Sequence, residues 1–225
     1  AKGLLPMAKP EAVGLDPKKL DEVNAKMNAL IEENRLSGGT VVVARKGKVA
    51  HFGTYGLRDR EAGLPVEKDT IFRIYSMTKA ITSAAALMLE EEGKLDLEDP
   101  LSTFFPPLKK MKVWKDGKLL EPKREATVAD LLRHTSGLTY GWKAIEAIGQ
   151  AHRKAGVLDR DKALVPMMNG MGQVPLLFDP GSDWVYGCST DVLGGVVEVA
   201  SGMPFDQFLR ERFLEPLNMK DTDFY

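Results

Sequence analysis

An α+β fold is predicted by three observations on the 225-residue sequence. Over residues 17–34, Leu20, Val23, Met27, Leu30 and Ile31 fall at helical spacing with charge on the opposite face. Residues 40–57 then hold the β-branched run Thr40-Val41-Val42-Val43, a turn at Lys46-Gly47 and a second extended run from Val49. Beyond residue 76 the patterns are mainly helical. A helix followed by a hairpin argues for antiparallel pairing rather than alternating βαβ units.

Taken in order, the first helix ends at Ser37-Gly38-Gly39, where the backbone freedom of glycine stops it. The hairpin follows, over 40–44 and 49–57. Residues 70–75 form a short apolar stretch that runs into a helix over 76–92, rich in Ala and Leu and ended by Gly93. Being apolar on most sides, that helix is expected to be buried. A short helix over 127–134 takes Thr127 or a neighbour as its cap and breaks at Ser136-Gly137. Residues 142–171 are polar and partly helical. Asp179-Pro180-Gly181 is a turn, 190–200 a helix ended by Ser201-Gly202, and 205–213 a last amphipathic helix.

Composition excludes several function classes. Lys and Arg number 31 against 32 Asp and Glu, so no basic excess exists to bind nucleic acid by counterion release. No block of like charge has the form of an interaction tail. The longest apolar runs fall far short of the roughly 20 residues that span a bilayer, and residues 1–10 lack the apolar core of a signal peptide. These absences lead to the expectation of a cytoplasmic protein. His51, His134 and His152 show no metal-ligand spacing with each other or with Cys188, the one cysteine. No G-x-S-x-G elbow and no phosphate-binding glycine motif occurs.

The sharpest chemical feature is Ser76-Met77-Thr78-Lys79 at the start of a helix. Three residues make nearly one turn, which puts Ser76 and Lys79 on one face. A serine hydroxyl becomes a useful nucleophile only when a base takes its proton. A lysine serves as that base if its ammonium is destabilised, and burial and a helix N-terminus both act in that direction. By itself the tetrapeptide, a common one, reads more readily as an N-cap and a surface lysine than as a catalytic pair. Its surroundings decide the matter.

The block from Ile71 to Thr82 (Ile-Phe-Arg-Ile-Tyr-Ser-Met-Thr-Lys-Ala-Ile-Thr) resembles the active-site block of the serine β-lactamase and penicillin-binding-protein superfamily, and most of all its carboxylesterase branch, the family VIII esterases. Three further blocks agree in order: Leu131 to Gly141 (Leu-Leu-Arg-His-Thr-Ser-Gly-Leu-Thr-Tyr-Gly), Trp184 to Gly194 (Trp-Val-Tyr-Gly-Cys-Ser-Thr-Asp-Val-Leu-Gly), and Glu215 to Thr222 (Glu-Pro-Leu-Asn-Met-Lys-Asp-Thr). The resemblance implies a β-lactamase/transpeptidase-like fold, with an antiparallel sheet flanked by helices and a mainly helical subdomain. It divides the chain into 1–75 with 205–225, an incomplete sheet subdomain, and 76–204, the helical subdomain carrying the cleft. It implies Ser76 as the acyl-accepting nucleophile, Lys79 as the base or the group that tunes it, and Tyr186 as the completion of the proton relay. Cations near a phenol favour its charged form. Tyr140, Trp184 and Cys188 are candidate substrate-pocket residues, with Cys188 a small apolar wall. His134 is expected to be a structural loop histidine.

One departure from the pattern bears on substrate. Penicillin-recognising members commonly carry Tyr-x-Asn, where this chain has Tyr186-Gly187-Cys188. A thiol does not replace a carboxamide that both donates and accepts. The resemblance therefore implies a hydrolase of small, short-chain carboxylic esters without cofactor. A β-lactamase or D,D-peptidase, and a non-catalytic binding member of the fold, are the alternatives. The family's third motif (Lys-Thr-Gly, His-x-Gly or Trp-Gly-Gly) is missing from these residues, and the remaining sheet strands with it. The expectation is a complementing C-terminal polypeptide that supplies both.

Overall fold

The computed structural model describes residues 5–143, 145–157, 159 and 161–224. These residues form two compact units, 1–73 and 74–225.

In the first unit, helix α1 (Pro17–Glu32) opens with Pro17 at its first position and with the Asp16 carboxylate accepting from the Lys18 N–H at 2.9 Å. Both features suit a helix start, where the first N–H groups lack partners. Strands β1 (Gly38–Arg45) and β2 (Lys48–Asp59) pair antiparallel, with Thr40 opposite Thr54 and Val42 opposite Phe52. Lys46 and Gly47, both at positive φ, make the tight turn between them. A two-residue strand, β3 (Leu64–Pro65), adds to β2 and gives the order β1-β2-β3. Helix α1 packs on β2. Tyr55, buried on β2, donates to Asn24 Oδ1 of α1 at 2.5 Å and lies 3.0 Å from His51 Nε2. His51 thus takes part in sheet-to-helix packing.

The second unit is built around one helix, α6 (Ser189–Ser201), whose Val192, Leu193, Val196 and Val197 are fully buried. Against it pack α2 (Thr78–Glu91), α3 (Val128–Arg133), α5 (Leu164–Met171) and α7 (Phe205–Leu209). Helix α4 (Glu146–Ala155) lies beside α5. Two adjacent glycines interrupt the side-chain surface of α6. A methyl at Gly195 would stand 2.8 Å from Met168 and 2.9 Å from Phe105, so the close approach of those two core residues requires glycine there. A methyl at Gly194 would meet Phe205 only at ordinary contact, 3.4 Å.

The helix expected over 76–92 is a 3₁₀ turn (Tyr75–Met77) followed by α2. Tyr75 adopts φ 44°, a left-handed conformation rare for a bulky residue, and this kinks the chain before α2 starts. Burial on α2 is confined to one face, with Thr82, Ala85, Ala86 and Leu89 inside and Leu87 exposed, so the all-round burial expected from its composition does not occur. The last helix is shorter than expected. It ends at Leu209 and continues as a wider π turn, Arg210–Leu214. Helix α7 packs on α6, and the residues that follow it to 224 belong to the same second unit. A hairpin of β4 (Val113–Lys115) and β5 (Lys118–Leu120) was not anticipated.

The loop after α3 is held by a buried carboxylate. Asp130 and Thr127 form a reciprocal capping box at the start of α3. Asp130 also accepts from both Arg124 guanidinium nitrogens, at 2.5 and 3.0 Å, and from the Thr135 hydroxyl at 2.8 Å. Burial pushes its carboxyl up, but the hydrogen bonds from Arg124, Thr127 and Thr135 outweigh this and hold it below the usual carboxylate range. A carboxylate with a depressed native value stabilises the fold above its unfolded value, about pH 4, and that stabilisation fades as pH falls further. Arg124→Ala leaves the charge buried with three hydrogen bonds, from the Thr127 N–H and hydroxyl and the Thr135 hydroxyl. Because Arg124 is half exposed, the expected cost is about 2 kcal/mol, below the full cost of breaking a buried pair. That corresponds to a Tm lower by roughly 4–8 °C, with unfolding on acidification starting at higher pH. Thermal melts followed by circular dichroism between pH 3 and 7 (roughly the carboxylate range) measure both. An unchanged acid limb would show that Arg124 does not stabilise the ionised form.

Candidate active site

Ser76, Lys79 and Tyr186 converge. Ser76 sits in the 3₁₀ turn and Lys79 in the first turn of α2. Tyr186 belongs to the loop that leads into α6. The Tyr186 hydroxyl donates to Ser76 Oγ at 2.8 Å, and Lys79 Nζ donates to the same oxygen at a longer 3.4 Å. Lys79 Nζ also lies 4.9 Å from the centre of the Tyr186 ring.

The loop carrying Tyr186 is fixed from behind. The Val185 N–H donates to the His134 carbonyl at 3.1 Å, and the Gly181 N–H to the Thr135 carbonyl at 2.8 Å. Ser136 and Ser189, both buried, share a hydrogen bond of 2.9 Å. Gly187 lies so close to the loop after α3 that a methyl there would stand 2.3 Å from the Leu138 carbonyl oxygen.

The electrostatics reverse one expectation. Burial lowers the Lys79 ammonium, as the sequence suggested. Its hydrogen bond with Tyr186 and the negative character of Tyr140, Tyr186 and Asp191 act the other way, and the net is above the ordinary lysine value. Lys79 is therefore a cation at neutral pH. Those partners come from segments far away in the chain, and for that reason local pattern did not expose them.

A cleft of about 340 Å³ opens beside these groups. Ser76 and Lys79 line it together with Asp191, and Leu164, Phe205 and Phe224 supply apolar wall. The Asp191 carboxyl, in the first turn of α6, is pushed up by burial, with Lys79 opposing. Sequence reasoning missed it, because an aspartate there reads as a charge complementing the helix dipole.

The candidate pocket residues divide. Tyr140 stacks on Trp142 at 4.6 Å and meets the Tyr186 ring edge-on at 6.0 Å. Trp184, largely exposed, meets His134 at 6.2 Å, and His134 packs on Tyr186 at 5.1 Å. These rings form a continuous row on which Tyr186 rests, outside the described lining of the cleft. His134 is the left-handed cap of α3, at φ 58°. Burial and the Lys79 charge hold it below the usual histidine range, hence neutral at pH 7. Cys188 points into the core. It is fully buried, donates to the Thr139 carbonyl at 3.4 Å, and is pushed up by burial, so it presents no polar group to the cleft. Among the described residues no group of three or more His, Cys, Asp or Glu is placed to hold a metal ion, and no helix is long and apolar enough to cross a membrane.

Comparison with known proteins bears on the family and the fold. Residues 23–225 match the family model described as Beta-lactamase. Esterase EstB of Burkholderia gladioli is 37% identical over 220 residues, an alignment covering 96% of this chain and 54% of EstB. Among solved structures, EstCE1, described as a hydrolase with promiscuous acyltransferase activity, superposes with a TM-score of 0.79 at 30% identity, covering 88% of this chain and 51% of that one. Unliganded simvastatin synthase, LovD, from Aspergillus terreus gives 0.72 at 28% identity, with 91% and 52% covered. The chain spans about half the length of the relatives it matches.

Proposed function

Given that this chain belongs to the beta-lactamase family and has its β-lactamase/transpeptidase-like fold, we propose that it is a serine esterase acting on small carboxylic esters through an acyl-enzyme on Ser76. The observation that carries the proposal is the convergence of Tyr186 and Lys79 on Ser76 Oγ at the edge of a partly apolar cleft. The esterase EstB and the hydrolase EstCE1 support the reaction class.

In this mechanism Lys79 stays an ammonium and stabilises negative charge on the Tyr186 oxygen by Coulomb attraction. The Tyr186 hydroxyl first gives up its own proton to solvent, and the phenolate so formed accepts the Ser76 proton as Oγ bonds to the ester carbonyl carbon. The partial positive charge at the start of α2 stabilises the oxyanion. Collapse of the tetrahedral intermediate breaks the bond to the alcohol oxygen, which takes the proton back from Tyr186. Water then repeats the sequence: Tyr186 takes its proton, its oxygen attacks the acyl carbon, and Ser76 is released with the carboxylic acid.

The size of the cleft and its Leu164, Phe205 and Phe224 wall favour short acyl groups. The β-lactamase or D,D-peptidase alternative has less support, since Cys188 is turned away and offers no amide to a lactam side chain.

One experiment tests these points together. Active material is labelled with a fluorophosphonate and examined by native and denaturing mass spectrometry, with p-nitrophenyl butyrate and nitrocefin compared in parallel. The expected result is one adduct on Ser76 and ester turnover far above β-lactam turnover. An adduct elsewhere removes the assignment of Ser76. Efficient nitrocefin turnover supports the penicillin-recognising alternative.

A further inference from the structure

We propose that the β4–β5 hairpin is a docking surface for an anionic lipid membrane. Residues 109–124 carry seven Lys and Arg against two acidic residues, in a chain whose net charge is -1. The structure gathers this stretch around the hairpin. Lys112 bonds Glu121, Arg124 bonds Asp130, and Lys123 stands 4.0 Å from Asp179. Lys109, Lys110, Lys115 and Lys118 are exposed and form no ion pair among the described residues.

The tip is preorganised. Asp116 and Gly117 adopt consecutive left-handed conformations, at φ 49° and 79°, in a two-residue turn. That turn sets Lys115 directly opposite Lys118. Like charges in that position destabilise a strand pair, so the arrangement is costly without a partner of opposite sign. Beside these ammoniums Leu119 and Leu120 are 54% and 46% exposed on opposite faces of β5, and Trp114 stands across the strand from Leu119. The hairpin is anchored from its other edge, where the Trp114 N–H donates to the Leu176 carbonyl at 2.9 Å and Val113 enters the core. Strand β5 is the one turned outward.

The chemistry selects the occupant. Nucleic acid would satisfy the ammoniums but leave two leucines in water. An apolar protein groove would take the leucines and leave the ammoniums unpaired. The surface of an anionic bilayer offers phosphate and carboxylate groups at the level of the lysines and acyl chains just beneath for the two exposed leucines of the outer strand.

Co-sedimentation with phosphatidylcholine vesicles, with and without phosphatidylserine, tests the proposal. Binding is expected only with phosphatidylserine and is expected to weaken with salt. K115Q/K118Q is expected to lower partitioning by about tenfold or more, since each lysine near such a surface is worth roughly a factor of five. K109Q/K110Q, outside the hairpin, should do the same and covers the case in which the tip variant misfolds. L119S/L120S is expected to weaken binding several-fold with little change in its salt dependence. Adhesion to uncharged vesicles alone, no binding, or binding to duplex DNA that L119S/L120S leaves unchanged would each overturn the proposal. So would acidic polypeptide competing as well as lipid.

Discussion

Ser76→Ala is expected to abolish ester hydrolysis, with turnover falling by about three orders of magnitude or more while the thermal melt stays within about 1 °C of the parent. The Ser76 hydroxyl is exposed at the cleft edge and receives hydrogen bonds from Tyr186 and Lys79. In the proposed mechanism its loss removes the bond-forming atom, and it takes away no core packing. Residual catalysis from oriented groups and bound water sets the floor, as in other hydrolases stripped of their nucleophile. The measurement is p-nitrophenyl butyrate turnover of active material, with fluorophosphonate labelling as the independent readout. Retention of more than a few per cent of the activity together with labelling would mean that another residue carries the acyl group.

Tyr186→Phe is expected to lower turnover by about 10²–10⁴, the range supplied by a positioned general acid–base. The substitution keeps the ring, so its packing on His134 and Tyr140 survives and only the oxygen 2.8 Å from Ser76 is lost. The pH profile distinguishes a proton carrier from a spacer. In the parent, the proposed proton transfer should give the activity profile a pH-dependent limb. In the variant that limb should flatten, with KM nearly unchanged. Parent-like turnover with only KM altered would assign Tyr186 to substrate binding instead.

Local pattern made much of this architecture legible. Helix α1 and the β1–β2 hairpin follow from apolar spacing, the Pro17 start and the Lys46-Gly47 turn, and their ends lie within about two residues of the expected ones. Thr127 caps α3 as its residue type suggests. The β4–β5 hairpin was overlooked although Asp116-Gly117 is a strong turn signal, because its strands are three residues long and rich in lysine. The start of α2 was placed too early because nothing in the sequence marks a tyrosine for a left-handed backbone. At the site, residue types were legible and electrostatics were not. The charge on Lys79 depends on Tyr186, 107 positions later in the sequence, and on Asp191, and the direction of Cys188 depends on how the loop enters α6.

The glycine pair on α6 bears on how selection can reshape the enzyme. Gly195 is locked, because any side chain there collides with Phe105 and Met168, and its substitution would be removed through loss of the fold. Gly194 faces the cleft and has room for a methyl against Phe205. Alanine there also removes the penalty, about 1 kcal/mol, that glycine imposes on a helix interior. A single nucleotide change at one of two neighbouring codons therefore makes the cleft smaller without disturbing the helix packing, while the same change at the other forces Met168 and Phe105 out of place. Cleft volume is one mutational step from adjustment, and the direction that favours helix stability is also the direction that makes the cleft smaller.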